Sequence, residues 1–128
     1  MDKKILSTAG FLGMTAILLG AFGAHALKEV LDTEALATFE TGVKYQMYHA
    51  LLLLFLGSNT SISFQLKIWV YRLVLIGVVL FSGSIYLLAT KSLSGMEAKF
   101  VGPLTPVGGS LLIGAWGILM VHFLKKKA

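Results

Sequence analysis

The sequence predicts an all-α integral membrane protein, a four-helix bundle with both termini cytoplasmic. Three observations carry that prediction. Of 128 residues, 56% are hydrophobic and only 13% are charged, where a soluble domain has about 25% charged residues. Apolar runs recur four times along the chain, on the scale of the roughly 20 helical residues that cross a hydrocarbon core of about 30 Å. The basic residues are shared unequally between the two sides that such a topology creates. The chain reads as one domain, 1–128, with spans at about 5–25, 42–57, 66–89 and 105–124.

The first run covers residues 5–24. A signal peptide is the rival reading, because Lys3 and Lys4 precede the run and Ala24-His25-Ala26 has the A-x-A form of a cleavage site. The run is longer than the usual h-region of about 7–15 residues. More spans follow it, so a retained first helix is expected. Residues 28–40 are polar, with Leu27, Val30, Leu31, Leu36 and Phe39 spaced as one helical face. Asp32 or Thr33 is placed to cap a new helix, with Glu34 in its first turn. The apolar part of the second span, 42–57, is short, so its helix is expected to begin earlier, outside the lipid.

Ser58-Asn59-Thr60-Ser61 reads as a loop. The third span follows, with Arg72 near its start and able to snorkel to the headgroups. Residues 91–102 form a polar connection. Thr105-Pro106 then opens the fourth span, threonine as cap and proline where its missing N–H costs little.

Four spans place both termini on one side. That side holds Lys3, Lys4, Lys67, Arg72, Lys125, Lys126 and Lys127. The other holds Lys28, Lys44, Lys91 and Lys99, offset by Glu29, Asp32, Glu34, Glu40 and Glu97. The side richer in basic residues is the cytoplasmic one. The net charge of +5 therefore speaks for topology. No basic stripe with interleaved aromatics points to nucleic acid. With no cysteine, disulfides, thiolate metal sites and cysteine nucleophiles are excluded.

Small residues form two stripes. Ala9, Gly13, Ala16, Gly20 and Gly23 follow one seam of the first span, and Ser110, Gly114 and Gly117 one seam of the fourth. Such seams let helix backbones approach closely in lipid. They predict tight packing within one bundle, or contacts in a homo-oligomer.

Polar groups gather in Lys44-Tyr45-Gln46-Met47-Tyr48-His49-Ala50, at the head of the second apolar run. Gln46 and His49 are three apart and share a helix face. A histidine inside a span is costly unless paired or wet, which makes it a candidate site. It is expected to face the bundle interior.

Four signatures then stand together: Gly20-Ala21-Phe22-Gly23-Ala24-His25-Ala26-Leu27, Tyr45-Gln46-Met47-Tyr48-His49-Ala50-Leu51, Phe81-Ser82-Gly83-Ser84-Ile85-Tyr86-Leu87 and Thr105-Pro106-Val107-Gly108-Gly109. In this order they resemble the domain of unknown function 423 family of small bacterial membrane proteins, related to eukaryotic transmembrane protein 256. The likeness covers nearly the whole chain. Members often have glycine where this chain has Ala26, and the connection 91–102 is longer and more charged than theirs. The resemblance implies a four-helix protein of the bacterial cytoplasmic (inner) membrane. It implies no reaction.

All four signatures fall in the outer half of the bundle. The candidate polar cluster is His25, Gln46, His49, Ser82, Tyr86 and Thr105. Ser82 and Tyr86, four apart on one face, are the expected partners of His49. The cluster is either a structural network, fixing helix register at roughly 0.6 kcal/mol per interhelical bond, or a site. His25 and His49 differ in depth by on the order of 10–15 Å, too far for one metal ion with bonds of about 2 Å. No cofactor or catalytic residue is expected: there is no G-x-S-x-G, no H-E-x-x-H and no phosphate-binding glycine loop. No acid lies deep in a span to relay protons. The helix start at Pro106, Gly108 and Gly109 suits either close packing or an anion.

Two functions stay open. One is a non-enzymatic membrane component that packs with lipids or partner proteins. The other is a small transporter, channel or ligand-binding protein whose polar cluster opens to the outer face. A dry, fully bonded cluster favours the first; a water-lined cavity reaching His49 favours the second.

Overall fold

The computed structural model describes residues 2–95 and 98–126. Glu97 and Lys127, two of the charges weighed in the topology, lie outside the described residues. Among those described, every regular element is helical. Helix α1 is Asp2–His25, followed by a short 3-10 turn at Leu27–Glu29. Helix α2 is Thr33–Ser58 and α3 is Phe64–Ala89, each of 26 residues. Two single-turn helices, α4 (Lys91–Ser94) and α5 (Ala98–Val101), occupy the polar connection. Helix α6 is Leu104–Lys125.

Three stretches are long and apolar enough to cross a membrane: Asp2–Glu29, Phe64–Ala89 and Lys99–Lys125. Helix α2 is as long as α3, but its first half carries Glu34, Glu40 and Lys44, and it is not among them. Its apolar run is the second half of one unbroken helix.

Caps set the boundaries. Asp32 Oδ1 accepts the Ala35 N–H at 2.7 Å and starts α2; Ser63 Oγ accepts the Leu66 N–H and starts α3. Each meets one of the donors that a helix start leaves without an intrahelical partner. Helix α6 begins differently from the expectation. Its N-cap is Pro103, with no side-chain bond. Thr105 already lies inside the helix and turns its hydroxyl to α3. Pro106 sits in the first turn, where its missing N–H would have had no intrahelical acceptor. Gly95, at φ 74°, ends α4 in the left-handed conformation that glycine adopts at no steric cost.

Helix α1 packs on α2, α2 on α3, and α3 on α6. The main core runs through this stack, with Ile5, Leu53, Leu56, Val70 and Val74 fully buried. A smaller cluster of Leu27, Leu31, Phe39 and Ala89 closes the opposite end.

Glycines mark where helices come nearest. A Cβ at Gly108 would run into the Phe81 backbone N and the Gly77 carbonyl, so α6 crosses α3 backbone to backbone. At Gly42 a Cβ would stand 2.7 Å from the Tyr86 ring, and at Gly57 2.8 Å from Leu6. The α1 stripe does face α2, with Ala9, Ala16 and Gly23 buried. Its packing is uneven: a Cβ would stand 3.1 Å from the Phe39 ring at Gly23 and 3.4 Å from Val43 at Gly20, but nothing nearer than 3.9 Å at Gly13. The α6 stripe is not packed within the chain. Ser110 and Gly114 are exposed, and a Cβ at Gly114 or Gly117 would meet nothing within 4 Å.

Candidate functional site

The buried face of α2 runs Phe39, Gly42, Gln46, His49, Leu53, at the three- and four-residue steps of a helix. Gln46 is 5% exposed. Its Nε2 donates to the Leu12 carbonyl at 2.9 Å and to Thr15 Oγ1 at 2.7 Å, both on α1. Its Oε1 accepts the Tyr86 hydroxyl from α3 at 2.6 Å. One side chain thus ties three helices together.

Tyr86 reaches Gln46 because Gly42 leaves room for its ring, which also packs on Phe39 at a centroid distance of 5.1 Å. Ser82, one turn earlier on α3, donates to the Gly42 carbonyl at 2.8 Å. Both α3 groups therefore act at the same crossing with α2.

His49 points toward α6. Its Nδ1 lies 2.7 Å from the Tyr45 carbonyl. Its Nε2 lies 3.1 Å from the indole Nε1 of Trp116. A carbonyl can only accept and an indole N–H can only donate. Both bonds are met together by the imidazole tautomer with its proton on Nδ1. The expected partners, Ser82 and Tyr86, are instead engaged with Gly42 and Gln46.

Ser84 and Thr105 meet at 2.5 Å between α3 and α6. Ser84 gives its own hydrogen to the Phe81 carbonyl at 2.9 Å, so Thr105 is the donor of the pair. His25 stands apart: it is exposed, and its Nδ1 bonds the Ala21 carbonyl of its own helix. The six candidates therefore fall into separate groups. Gln46, Tyr86 and Ser82 share the α2–α3 crossing, His49 joins α6, Ser84 with Thr105 joins α3 to α6, and His25 joins none.

Sequence reasoning missed Thr15 and Trp116. A signal existed for each. Thr15 is a lone hydroxyl inside an apolar run, and Trp116 sits mid-helix where tryptophan usually marks a membrane interface. It also missed a second polar layer near the termini. There Thr8 bonds the Tyr71 hydroxyl at 2.8 Å and buried Lys67 pairs with Asp2 at 3.0 Å.

The network is bonded through protein groups. Among the described residues, the buried side-chain polar atom without a partner is His122 Nε2, which takes no part in the network. A recess of about 320 Å³ lies beside His49, walled by Tyr45, Phe81, Leu112, Ile113 and Trp116. A charged cavity of about 410 Å³ at the α2 N-terminus is lined by Asp32, Glu34, Thr38, Lys91 and Ser92 among others. It shares no lining residue with the network. No three His, Asp or Glu side chains gather as metal ligands among the described residues. Chemically, the arrangement can hold helices in register through neutral hydrogen bonds. It presents no nucleophile next to a base and no paired acids.

A family model described as "Protein of unknown function (DUF423)" matches residues 19–109. A UPF0382 membrane protein of Staphylococcus saprophyticus is 40% identical over 126 residues, covering 95% of this chain and 98% of its own. One from Haemophilus influenzae is 33% identical over 133 residues, covering 100% and 99%. The UPF0382 inner membrane protein YgdD of Escherichia coli is 32% identical over 129 residues, covering 98% and 93%. No solved structure matches the chain.

Proposed function

Because the chain belongs to the DUF423 family, which has no assigned biochemical function and whose relatives above are named membrane proteins, we propose that it is a non-enzymatic component of the bacterial cytoplasmic membrane. In this reading it crosses the bilayer four times, with both termini in the cytoplasm. It packs against lipids and partner proteins and holds no ligand in its polar network. The inner-membrane name of the Escherichia coli relative supports the location. The lysine asymmetry supports the orientation. The length of α2 and its apolar run from Leu51 to Leu56 support the fourth crossing.

The observation that carries the reading is the closure of Gln46. Both of its amide atoms are spent on neighbouring helices, at 2.6–2.9 Å. A transport or ligand site keeps polar atoms open to water or cargo. Here they are turned on the helices themselves.

The chain has no cysteine, so single-cysteine variants give a clean test. Thr15→Cys and His49→Cys are expected to resist a water-soluble thiol reagent added from either side of the membrane. Glu34→Cys, at the mouth of α2, is expected to react. Rapid labelling of Thr15→Cys or His49→Cys would place water in the network and favour a transporter or channel instead.

A further inference from the structure

Helix α3 turns one stripe away from the other helices. Trp69, Ile76 and Val79 lie on it, at 57%, 52% and 60% exposure. Arg72 falls in the same stripe and is exposed. It is the charge in an otherwise apolar face. The ion pair found among the described residues joins Lys67 to Asp2, so Arg72 has no carboxylate partner there. Asp2 is also the acid nearest this end. Glu29, Asp32, Glu34 and Glu40 belong to the α1–α2 connection and the first half of α2, at the opposite end.

Arg72 stands about 12 Å along the helix from its start at Phe64, at 1.5 Å per residue. In a crossing helix that is hydrocarbon, where an unpaired charge is costly. Helical side chains lean toward the helix N-terminus. The guanidinium does so here, lying 6.0 Å from the Trp69 ring centroid. Tryptophan settles at headgroup level. The charge is therefore drawn back to the depth at which phosphates sit.

We infer that Arg72 and Trp69 form a binding site for the headgroup of an anionic phospholipid in the leaflet beside the termini. The planar guanidinium matches a phosphate with two parallel hydrogen bonds. Lys3, Lys4, Lys125 and Lys126 are exposed around the same end, so the local field is positive. An anionic headgroup complements that field, while a zwitterionic one brings a competing ammonium of its own. The inference rests on the reading of α3 as a membrane-crossing helix.

The test uses full-length protein in mild detergent with phosphatidylglycerol and phosphatidylcholine, read by native mass spectrometry. Wild type is expected to retain phosphatidylglycerol preferentially. Arg72→Gln is expected to retain about fivefold less, the factor one basic residue is worth at an anionic surface. Equal retention by both overturns the site. Should Arg72→Gln fail to fold, the wild type decides. Its thermal stability is expected to rise with phosphatidylglycerol over phosphatidylcholine and to lose that gain in high salt. No difference between the two lipids overturns the inference. Extraction of the wild type from membranes by alkaline carbonate would instead overturn the crossing reading on which it rests.

Discussion

Trp116 gives its indole N–H to His49 Nε2 across 3.1 Å, a polar tie between α6 and α2. The two helices also meet at Phe55 and Phe123, whose ring centroids are 6.3 Å apart, and α3 packs on both. His49→Phe and Trp116→Phe each break this bond and keep an aromatic ring. In a double-mutant cycle their coupling is expected at about 0.6 kcal/mol, and below roughly 1.7 kcal/mol, the range for interhelical bonds in a bilayer. Unfolding measured in micelles checks it. Strict additivity of the two variants would mean that the bond contributes nothing.

Gln46→Leu is expected to cost more than His49→Phe. Removing the amide loses three bonds and takes away the acceptor of the Tyr86 hydroxyl, while Thr15 keeps its own hydrogen on the Phe11 carbonyl; an unpaired buried polar group costs about 1–3 kcal/mol. Tyr86→Phe removes one bond and leaves a single acceptor, so it should fall between wild type and Gln46→Leu. An order in which Tyr86→Phe is the most damaging would contradict the bonding described.

Gly108→Ala is expected to destabilise by about 1–3 kcal/mol, the usual cost of overpacking. Its methyl would meet the α3 backbone, which cannot rotate away. Gly114→Ala meets nothing within 4 Å and should leave the unfolding transition where it is. The comparison needs only thermal melts of the two variants. A Gly114→Ala loss as large as that of Gly108→Ala would mean that this face of α6 is packed, by a turn of the helix about its axis or by a second copy of the chain.

Asp2→Asn is expected to weaken the fold near the termini. Lys67 is buried, with 6% of its side chain exposed, while Asp2 is 57% exposed. Removing the carboxylate leaves a buried ammonium without its partner, whereas Lys67→Met removes the charge and keeps the packing stem. Lys67→Met should therefore be the better tolerated of the two, as for other buried charges whose partner is deleted. Equal melting temperatures for the two variants would show the pair to be inert.

Fusions of a cytoplasm-active reporter to either end are expected to be active, in keeping with the lysine asymmetry. Labelling of a cysteine appended to the C-terminus from outside intact cells would reverse the orientation.

Much of this was legible in the chain, and the limits were physical. Helical class followed from run length and composition. A cap at Asp32 or Thr33 followed from their position before a new apolar face, and of the two it is Asp32 that caps. The burial of Gln46 and His49 followed from the cost of exposing them to lipid. Pairing between helices did not follow. In a bilayer the outside of a helix is as apolar as its inside, so α1 shows Phe11, Ile17 and Leu18 outward with no polar contrast to orient it. Helical spacing says which residues share a face, not which neighbour that face meets. Spacing alone therefore offers Tyr86 and Ser82 to His49, which turns instead to Trp116. The same gap made Gly13 and Gly20 look like the tight contacts when Gly108, Gly42 and Gly57 are tighter.

Gln46 divides its amide between two moments of the chain's birth. Its N–H groups bond α1, which leaves the ribosome before α2; its oxygen bonds Tyr86, which follows 40 residues later. Chains fold from the N-terminus during synthesis. The α1–α2 pair can thus form with its amide donors already met, while one acceptor stays unfilled. That open oxygen is an address for the third helix: an apolar segment without a hydroxyl at the right height cannot fill it.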